Sequence, residues 1–133
     1  MEFPATPAYR AALGDLLALY REGGFSPRPE DIKAWAKAGD LSVEATFAVV
    51  ARELALDYAM QILSWEFCDW AANKLWSTLC TMRFDDEALE GFVFEEFYNC
   101  FDASEMCAEG ERDAKALEYV TEYLRDMDVV IRR

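Results

Sequence analysis

The stretch "SVEATFAVVARELALDYAMQILSWEFCDWAANKLWSTLCTM", residues 42–82, contains no proline or glycine and places apolar side chains on more than one face of a helix. As one unbroken helix it would be a rod of about 60 Å. A globular chain of 133 residues has a radius of gyration of only about 14 Å. We therefore predict a break near residues 62–64, with Ser42 capping the first helix and Ser64 capping the second.

Two shorter helices are predicted before this stretch. Thr6 followed by Pro7 is typical of a helix start, because the threonine oxygen can cap the first turn and proline needs no N–H there. The glycine pair at 23–24 indicates the end of that helix. A second, shorter helix is predicted after the prolines of "SPRPED", residues 26–31, and ends at Gly39.

Two further helices are predicted after residue 82. The first carries an aromatic stripe at i, i+3, i+4 and i+7, which is the spacing of one buried helix face, formed by Phe94, Phe97, Tyr98 and Phe101. Residues 102–113 are predicted to form a polar connection. The last helix is expected to begin at about Asp113 and to end in "VVIRR", residues 129–133, with its apolar face at Leu117, Val120, Leu124 and Met127.

The fold prediction follows from these helices. No segment alternates with a period of two, so strands are not favoured. The chain is 53% hydrophobic and long enough to bury a core, which argues against disorder. We predict an all-α protein, a single compact helical bundle of five to six helices that occupies residues 1–133 as one domain.

The net charge of −13 is concentrated in one segment. Residues 84–113 contain eleven acidic residues and one basic residue, a net charge of −10. Such a segment is either an ordinary solvated face or a surface held for a positively charged partner. Nucleic acid is excluded as a direct partner, because phosphates would meet carboxylates without a compensating basic patch.

We predict that this segment binds a basic protein. The residues expected to make the contact are Glu95, Glu96, Tyr98, Asp102, Glu105, Glu109 and Glu111. The aromatic stripe is expected to face the core, as are Trp65, Trp70 and Trp76. Any of these aromatic side chains that reaches the surface beside the carboxylates would be an apolar anchor with an electrostatic rim.

The sequence lacks the residues that most enzyme mechanisms require. Histidine is absent, and neither a phosphate-binding loop nor a CxxC pair occurs. The four cysteines are interpreted as small core residues: Cys68, Cys80, Cys100 and Cys107. Asp102 and Glu105 could serve as an acid–base pair, but acids are too frequent here for one pair to indicate catalysis. We expect no catalytic residue, metal or cofactor.

The location of the protein is predicted from two absences in the sequence. Residues 1–10 show no basic start followed by an apolar run, so no secretory or transit signal is recognised. No run of about 18 uncharged apolar residues occurs, so we predict no membrane-spanning helix. A cytoplasmic protein is the expectation.

The second half of the chain resembles the small acidic bacterial immunity proteins, the cognate antitoxins of contact-dependent or secretion-system toxins. The resemblance lies in "AANKLWSTL" at 71–79, "FEEFYNCFDASE" at 94–105 and "EYVTEYL" at 118–124. In similar sequences a glycine stands where this chain has Ser104. The resemblance implies an all-helical inhibitor that binds one toxin in the cytoplasm and blocks its active site or substrate channel.

Two other functions are compatible with the same sequence. A phage-encoded mimic of nucleic acid would present the same carboxylates to a defence complex. A structural or adaptor bundle would keep them as a solvated face. The large apolar fraction also leaves surface for a homodimer.

Overall fold

The computed structural model describes residues 6–127. These residues form six α-helices and no strand, which confirms the predicted all-α bundle. The helices are α1 (Pro7–Glu22), α2 (Pro29–Gly39), α3 (Val43–Ala59), α4 (Trp65–Asp85), α5 (Phe92–Glu105) and α6 (Arg112–Asp126). A single 3-10 turn, Glu109–Glu111, precedes α6.

The long helical stretch breaks where the sequence predicted. Helix α3 ends at Ala59, and Gln61 turns the chain with a φ of 62°. The Ser64 hydroxyl then accepts a hydrogen bond from the backbone N–H of Phe67 at 3.2 Å and caps α4. The break folds α4 back into the bundle.

Helix α3 is the centre of the bundle. It contacts each of the other five α-helices, and ten of its 17 residues are buried. A helix that is apolar on all sides can be stable in water only when other elements surround it. The remaining five α-helices therefore pack around α3.

Helix α1 is fixed to α3 by buried polar contacts. The Thr6 hydroxyl caps α1 by accepting from the N–H of Tyr9 at 3.2 Å, as predicted. The same residue donates its hydroxyl and its backbone N–H to the Glu53 carboxylate, at 2.7 and 3.1 Å. The Tyr9 hydroxyl donates to Asp57 at 2.6 Å. Burial raises the pKa of both carboxyls, and the hydrogen bonds from Thr6 and Tyr9 act in the opposite direction.

Helix α5 packs through its aromatic stripe, with Phe94, Phe97 and Phe101 almost fully buried. The predicted polar connection over residues 102–113 is wrong at its start, because α5 continues through Glu105. The reason is Ser104, which is fully buried and extends the phenylalanine stripe by another turn. The connection to α6 is correspondingly short.

Several side chains predicted to be core lie at the edge of it. Tyr98 and the three tryptophans at 65, 70 and 76 are half-buried and pack against the core from outside. Two of these indole N–H groups have acceptors in the structure: Trp65 donates to Ser104 and Trp70 to the Gly24 carbonyl. Cys68 and Cys100 are buried, Cys80 and Cys107 are half-buried, and all four are free thiols.

The end of the last helix, predicted at residues 129–133, lies outside the described residues. Helix α6 begins at Arg112, one residue before the predicted position, and buries Val120 and Leu124. Within residues 6–127 no helix combines the length and the apolar character needed to cross a membrane.

Replacing Ser64 by alanine should lower the free energy of unfolding by about 1 kcal/mol, because the N–H of Phe67 loses its capping oxygen. Urea denaturation measures the change. Ser77→Ala, in an exposed position inside α4, is the matched control. Equal stability of the two variants would contradict the assignment of Ser64 as the cap.

Candidate functional site

The predicted acidic residues are displayed by α5 and the 3-10 turn that follows it. Because the phenylalanine stripe holds one side of α5 against the core, the carboxylates of this helix point away from it. Five of the predicted acids are exposed: Glu95, Glu96, Asp102, Glu109 and Glu111. Tyr98 and Glu105 are half-buried.

One flank of α5 faces α4 and combines aromatic and acidic side chains. The Tyr98 ring stacks on the Trp76 ring, with the centroids 5.1 Å apart and the planes at 16°. The Tyr98 hydroxyl donates to an Asp102 oxygen at 3.4 Å. We call this the α4–α5 face; it comprises Asp69, Trp76, Tyr98, Asp102 and Glu105. It combines a stacked pair of half-buried aromatic rings with neighbouring carboxylates.

A carboxyl pair joins the two helices of the α4–α5 face. The Asp69 carboxyl of α4 and the Glu105 carboxyl of α5 are close enough to interact, and a hydrogen bond between them would need a proton on one of the two. Burial is the main reason that the pKa of Asp69 is raised to about 7, and the hydrogen bond and charge of Glu105 raise it further. The Arg112 charge acts in the opposite direction. Glu105 is therefore partly engaged within the protein.

Arg112, the one basic residue of the acidic segment, is also engaged. Its guanidinium lies 5.7 Å from the centre of the Trp65 ring, and its Nε atom is buried without a hydrogen bond in the described part of the chain. Its neighbour Asp113 receives a hydrogen bond from the Tyr58 hydroxyl. Arg112 and Asp113 thus fasten α6 to α3 and α4.

Ser104 connects α5 to α4. Its hydroxyl accepts from the Trp65 indole N–H at 3.0 Å and donates to the Phe101 carbonyl at 2.7 Å. A glycine at this position would leave the indole without that acceptor. Ser104 is thus a buried polar contact between two helices.

The other flank of α5 faces α6 across an open cleft of 360 Å³. We call it the α5–α6 groove. Its carboxylates are Glu96 from α5 and Glu122 and Asp126 from α6. Its apolar lining includes Ala103 and Tyr119. No lysine or arginine from residues 6–127 lines it.

The ion pairs between residues 6–127 leave the α5 carboxylates without a basic partner. They join Arg28 to Asp31 at 3.5 Å and Lys115 to Glu118 at 3.6 Å. Both are exposed pairs within single helices, and such pairs contribute little to stability. Among residues 6–127, no ion pair therefore neutralises the carboxylates of α5.

The structure brings together some predicted residues and separates others. Tyr98, Asp102 and Glu105 lie on the α4–α5 face, whereas Glu96 belongs to the groove. The sequence reasoning missed four residues that complete these surfaces: Asp69, Trp76, Glu122 and Asp126. The i, i+4 spacing of Glu122 and Asp126 places them on one side of the last helix and could have indicated that flank. Nothing in the sequence pairs Asp69 with Glu105.

The described residues contain no group of three or more Cys, Asp or Glu side chains arranged to hold a metal ion. Burial raises the pKa of the Cys100 thiol to about 12 and also raises that of Cys68. Both thiols are protonated at neutral pH and are poor nucleophiles.

No model of a protein family, curated protein or solved structure matches this chain. The resemblance to immunity proteins therefore stays a prediction.

Replacing Ser104 by alanine should lower the free energy of unfolding by about 1 kcal/mol, because the Trp65 N–H loses its acceptor. A double-mutant cycle with Trp65→Phe, which removes the donor, isolates this contact. The cost of Ser104→Ala should be smaller in the Trp65→Phe background. Equal costs in both backgrounds would show that the hydroxyl acts through the Phe101 carbonyl instead.

The raised pKa of Asp69 predicts that its contribution to stability falls as the pH rises. Between its ordinary value of about 4 and the folded value of about 7, the folded protein retains a proton that the unfolded chain has released. Asp69→Asn should therefore gain about 1 kcal/mol relative to wild type between pH 4.5 and pH 8, a figure reduced for solvent screening. Urea denaturation at both pH values measures it.

The matched control for Asp69→Asn is Glu109→Gln, which also removes one carboxylate but from an exposed position. Its stability difference from wild type should change less between the two pH values. A change as large as that of Asp69→Asn would show that overall charge, and not the Asp69–Glu105 pair, determines the pH dependence.

Proposed function

We propose that this protein is an inhibitor of the immunity type, which binds a basic protein, a toxin domain, through the acidic surface of α5 and the turn after it. The observation that carries this proposal is the exposure of the predicted carboxylates without basic partners in the described structure. It acts by occupying the partner's basic site and has no catalytic activity of its own.

Charge concentration supports this proposal. Like charges repel one another, so a net charge of −10 in residues 84–113 opposes folding. A basic partner would relieve the repulsion and would be drawn to the surface by the field, which accelerates association. Many toxins act on nucleic acids and have basic sites, in which carboxylates can take the place of phosphates.

The stacked Tyr98 and Trp76 rings supply the second part of the proposed contact. Both are half-buried, so they present apolar area without disturbing the core. Tyrosine and tryptophan are enriched among residues that contribute most to protein binding. The α4–α5 face therefore offers an anchor, while the surrounding charges provide selectivity for a basic partner.

The charge argument alone also fits a mimic of nucleic acid that acts on a defence complex. The similarity to immunity proteins over residues 71–124 favours the toxin inhibitor. A mimic would be displaced from its target by added DNA and would be encoded among phage genes, whereas an immunity protein is encoded beside its toxin.

Charge reversal of the exposed acids tests the proposed function. The variant carries Glu95→Lys, Glu96→Lys, Glu109→Lys and Glu111→Lys. The control reverses four exposed acids of the first half of the chain: Glu22→Lys, Glu30→Lys, Asp40→Lys and Glu44→Lys. Each reversal adds two charges, so both variants carry −5 where the wild type carries −13.

Wild type and control should capture one basic protein from native lysate at moderate salt, and the α5 variant should lose it. The captured protein, once purified, should lose its toxic activity when one equivalent of wild type is added. Circular dichroism confirms that all three proteins are folded. Equal capture by both variants, or capture without inhibition, would contradict the proposal.

A further inference from the structure

Phe84, in the last turn of α4, is the most exposed large apolar residue among the side chains that the structure describes, at 89%. A single apolar side chain on a surface is ordinary and does not by itself indicate a site. Phe84 is not isolated, because Cys80 lies one turn before it and Trp76 two turns before it. The spacing of four residues places all three along one side of α4. We call them the α4 ridge.

The α4 ridge continues the α4–α5 face toward the end of α4. The Tyr98 ring stacks on Trp76, with the centroids 5.1 Å apart. Burial is the main reason that the pKa of Tyr98 is raised, and Asp102 and Cys80 lie close enough to raise it further. An open cleft of 330 Å³ lies beside Phe84, and Cys80, Arg83 and Glu87 also line it. Tyr98 therefore covers the first part of the ridge, and the last turn is left exposed beside a cleft.

The charges around Phe84 indicate the kind of partner. Residues 83–90 contain four acidic residues and one basic residue, a net charge of −3, and all five side chains are exposed. The C-terminal end of α4 adds a partial negative charge at the same place. A second copy of this acidic chain, an anionic membrane or a nucleic acid would be repelled. The surface is complementary to a basic protein.

Among the described residues, Phe25 is the other strongly exposed phenylalanine, at 71%. Residues 21–28, which surround it, contain two arginines and one glutamate, a net charge of +1. The two phenylalanines thus offer similar apolar area, but only Phe84 offers it beside carboxylates. Phe25 is therefore the matched control for the role of Phe84.

The shape of the α4 ridge favours a helix as the contacting element of the partner. The ridge is straight and spans eight residues of α4, about 12 Å, which matches two turns of a second helix. The apolar face of such a helix would pack on Phe84 and Cys80 and enter the cleft. Lysine or arginine side chains at the edges of that face would reach the exposed carboxylates of Asp85, Glu87 and Glu90.

We infer that the α4 ridge and its cleft bind a basic amphipathic helix of the partner protein, with Phe84 as the apolar anchor and the neighbouring carboxylates as a charged rim. This inference rests on the proposed function and deepens it, because it names the chemistry of the partner's contacting element. It also extends the contact from the stacked Tyr98 and Trp76 rings to the end of α4.

The test uses the full chain and an acetylated, amidated peptide of about 14 residues, in which leucines and lysines are placed to form an amphipathic helix. Isothermal titration calorimetry at about 0.15 M salt, where distant charges are screened, measures the affinity. Phe84→Ala should bind the peptide roughly tenfold more weakly than wild type, because the anchor is removed. Phe25→Ala should stay within about twofold of wild type. Equal affinities of the two variants would overturn the inference.

A second pair of variants tests the charged rim. One carries Asp85→Asn, Glu87→Gln and Glu90→Gln and should lose roughly fivefold in affinity for the peptide. The matched variant removes three exposed carboxylates from the first half of the chain and should change much less. It carries Glu22→Gln, Glu30→Gln and Asp40→Asn. Equal losses would show that the peptide responds to the acidic field as a whole and would reject the rim.

The melting temperature of Phe84→Ala separates binding from stability. It should equal or exceed that of wild type, because the ring is exposed and alanine favours a helix more than phenylalanine does. A lower melting temperature would show that the ring packs within the protein and would overturn its role as an anchor. Sedimentation measures self-association. A wild-type dimer that Phe84→Ala abolishes would assign the ridge to a second copy and would also overturn the inference.

The capture experiment separates this inference from the proposed function. Phe84→Ala should lose the basic protein that Phe25→Ala retains. Capture by both variants would reject the ridge, while the proposed inhibitor function would stand. Absence of peptide binding to wild type would also reject the ridge. Failure of the capture experiment alongside peptide binding that depends on Phe84 would reject the inhibitor and retain the ridge as a site for a basic helix.

Discussion

The burial of most of α3 is the constraint on which the rest of the structure depends. A helix with apolar residues on more than one face must be covered by other elements, and five helices contact α3. Even its polar residues are used inward, since Glu53 receives two hydrogen bonds from the start of α1. The position of α5, and therefore of the acidic surface, is a consequence of covering α3.

Helix α5 reconciles two opposed demands. Its phenylalanine stripe requires close contact with α3 and α6, whereas its carboxylates require water or cations. The helix satisfies both because its buried side is narrow and ends in Ser104, which leaves two flanks for charged residues. On the flank toward α4, burial and the neighbouring Glu105 raise the pKa of Asp69, which favours its uncharged form and reduces repulsion. On the flank toward α6, the described residues show no comparable carboxyl pair, and a cleft separates the two helices.

This difference between the flanks suggests how the acidic surface is divided. On the α4 side, the Arg112 guanidinium lies over the Trp65 ring and its charge lowers the pKa of Asp69, so part of the negative charge is balanced internally. On the α6 side, the carboxylates of Glu96, Glu122 and Asp126 converge on a cleft without a base among the described residues. The proposed inhibitor would then combine an aromatic anchor on one flank with exposed carboxylates on the other.

The sequence by itself determined the helices and most of their limits. Thr6 and Ser64 cap helices where their side chains and spacing predicted, because capping is a local interaction between residues three apart. The burial of Phe94, Phe97 and Phe101 likewise follows from helical periodicity. The concentration of negative charge in residues 84–113 is a property of composition and needs no fold.

Only the tertiary structure decided which residues of different helices meet. The Asp69–Glu105 pair, the Trp65–Ser104 hydrogen bond and the joining of Glu96 to Glu122 and Asp126 depend on how α4 and α6 pack beside α5. The position of Tyr98 at the edge of the core also depends on the Trp76 ring that covers it. Helical periodicity states which side of a helix is buried, but the relative rotation of two packed helices is set by contacts distant in sequence. The sequence therefore determined that the protein is acidic and helical. The packing of the helices determined which acidic side chains lie close together.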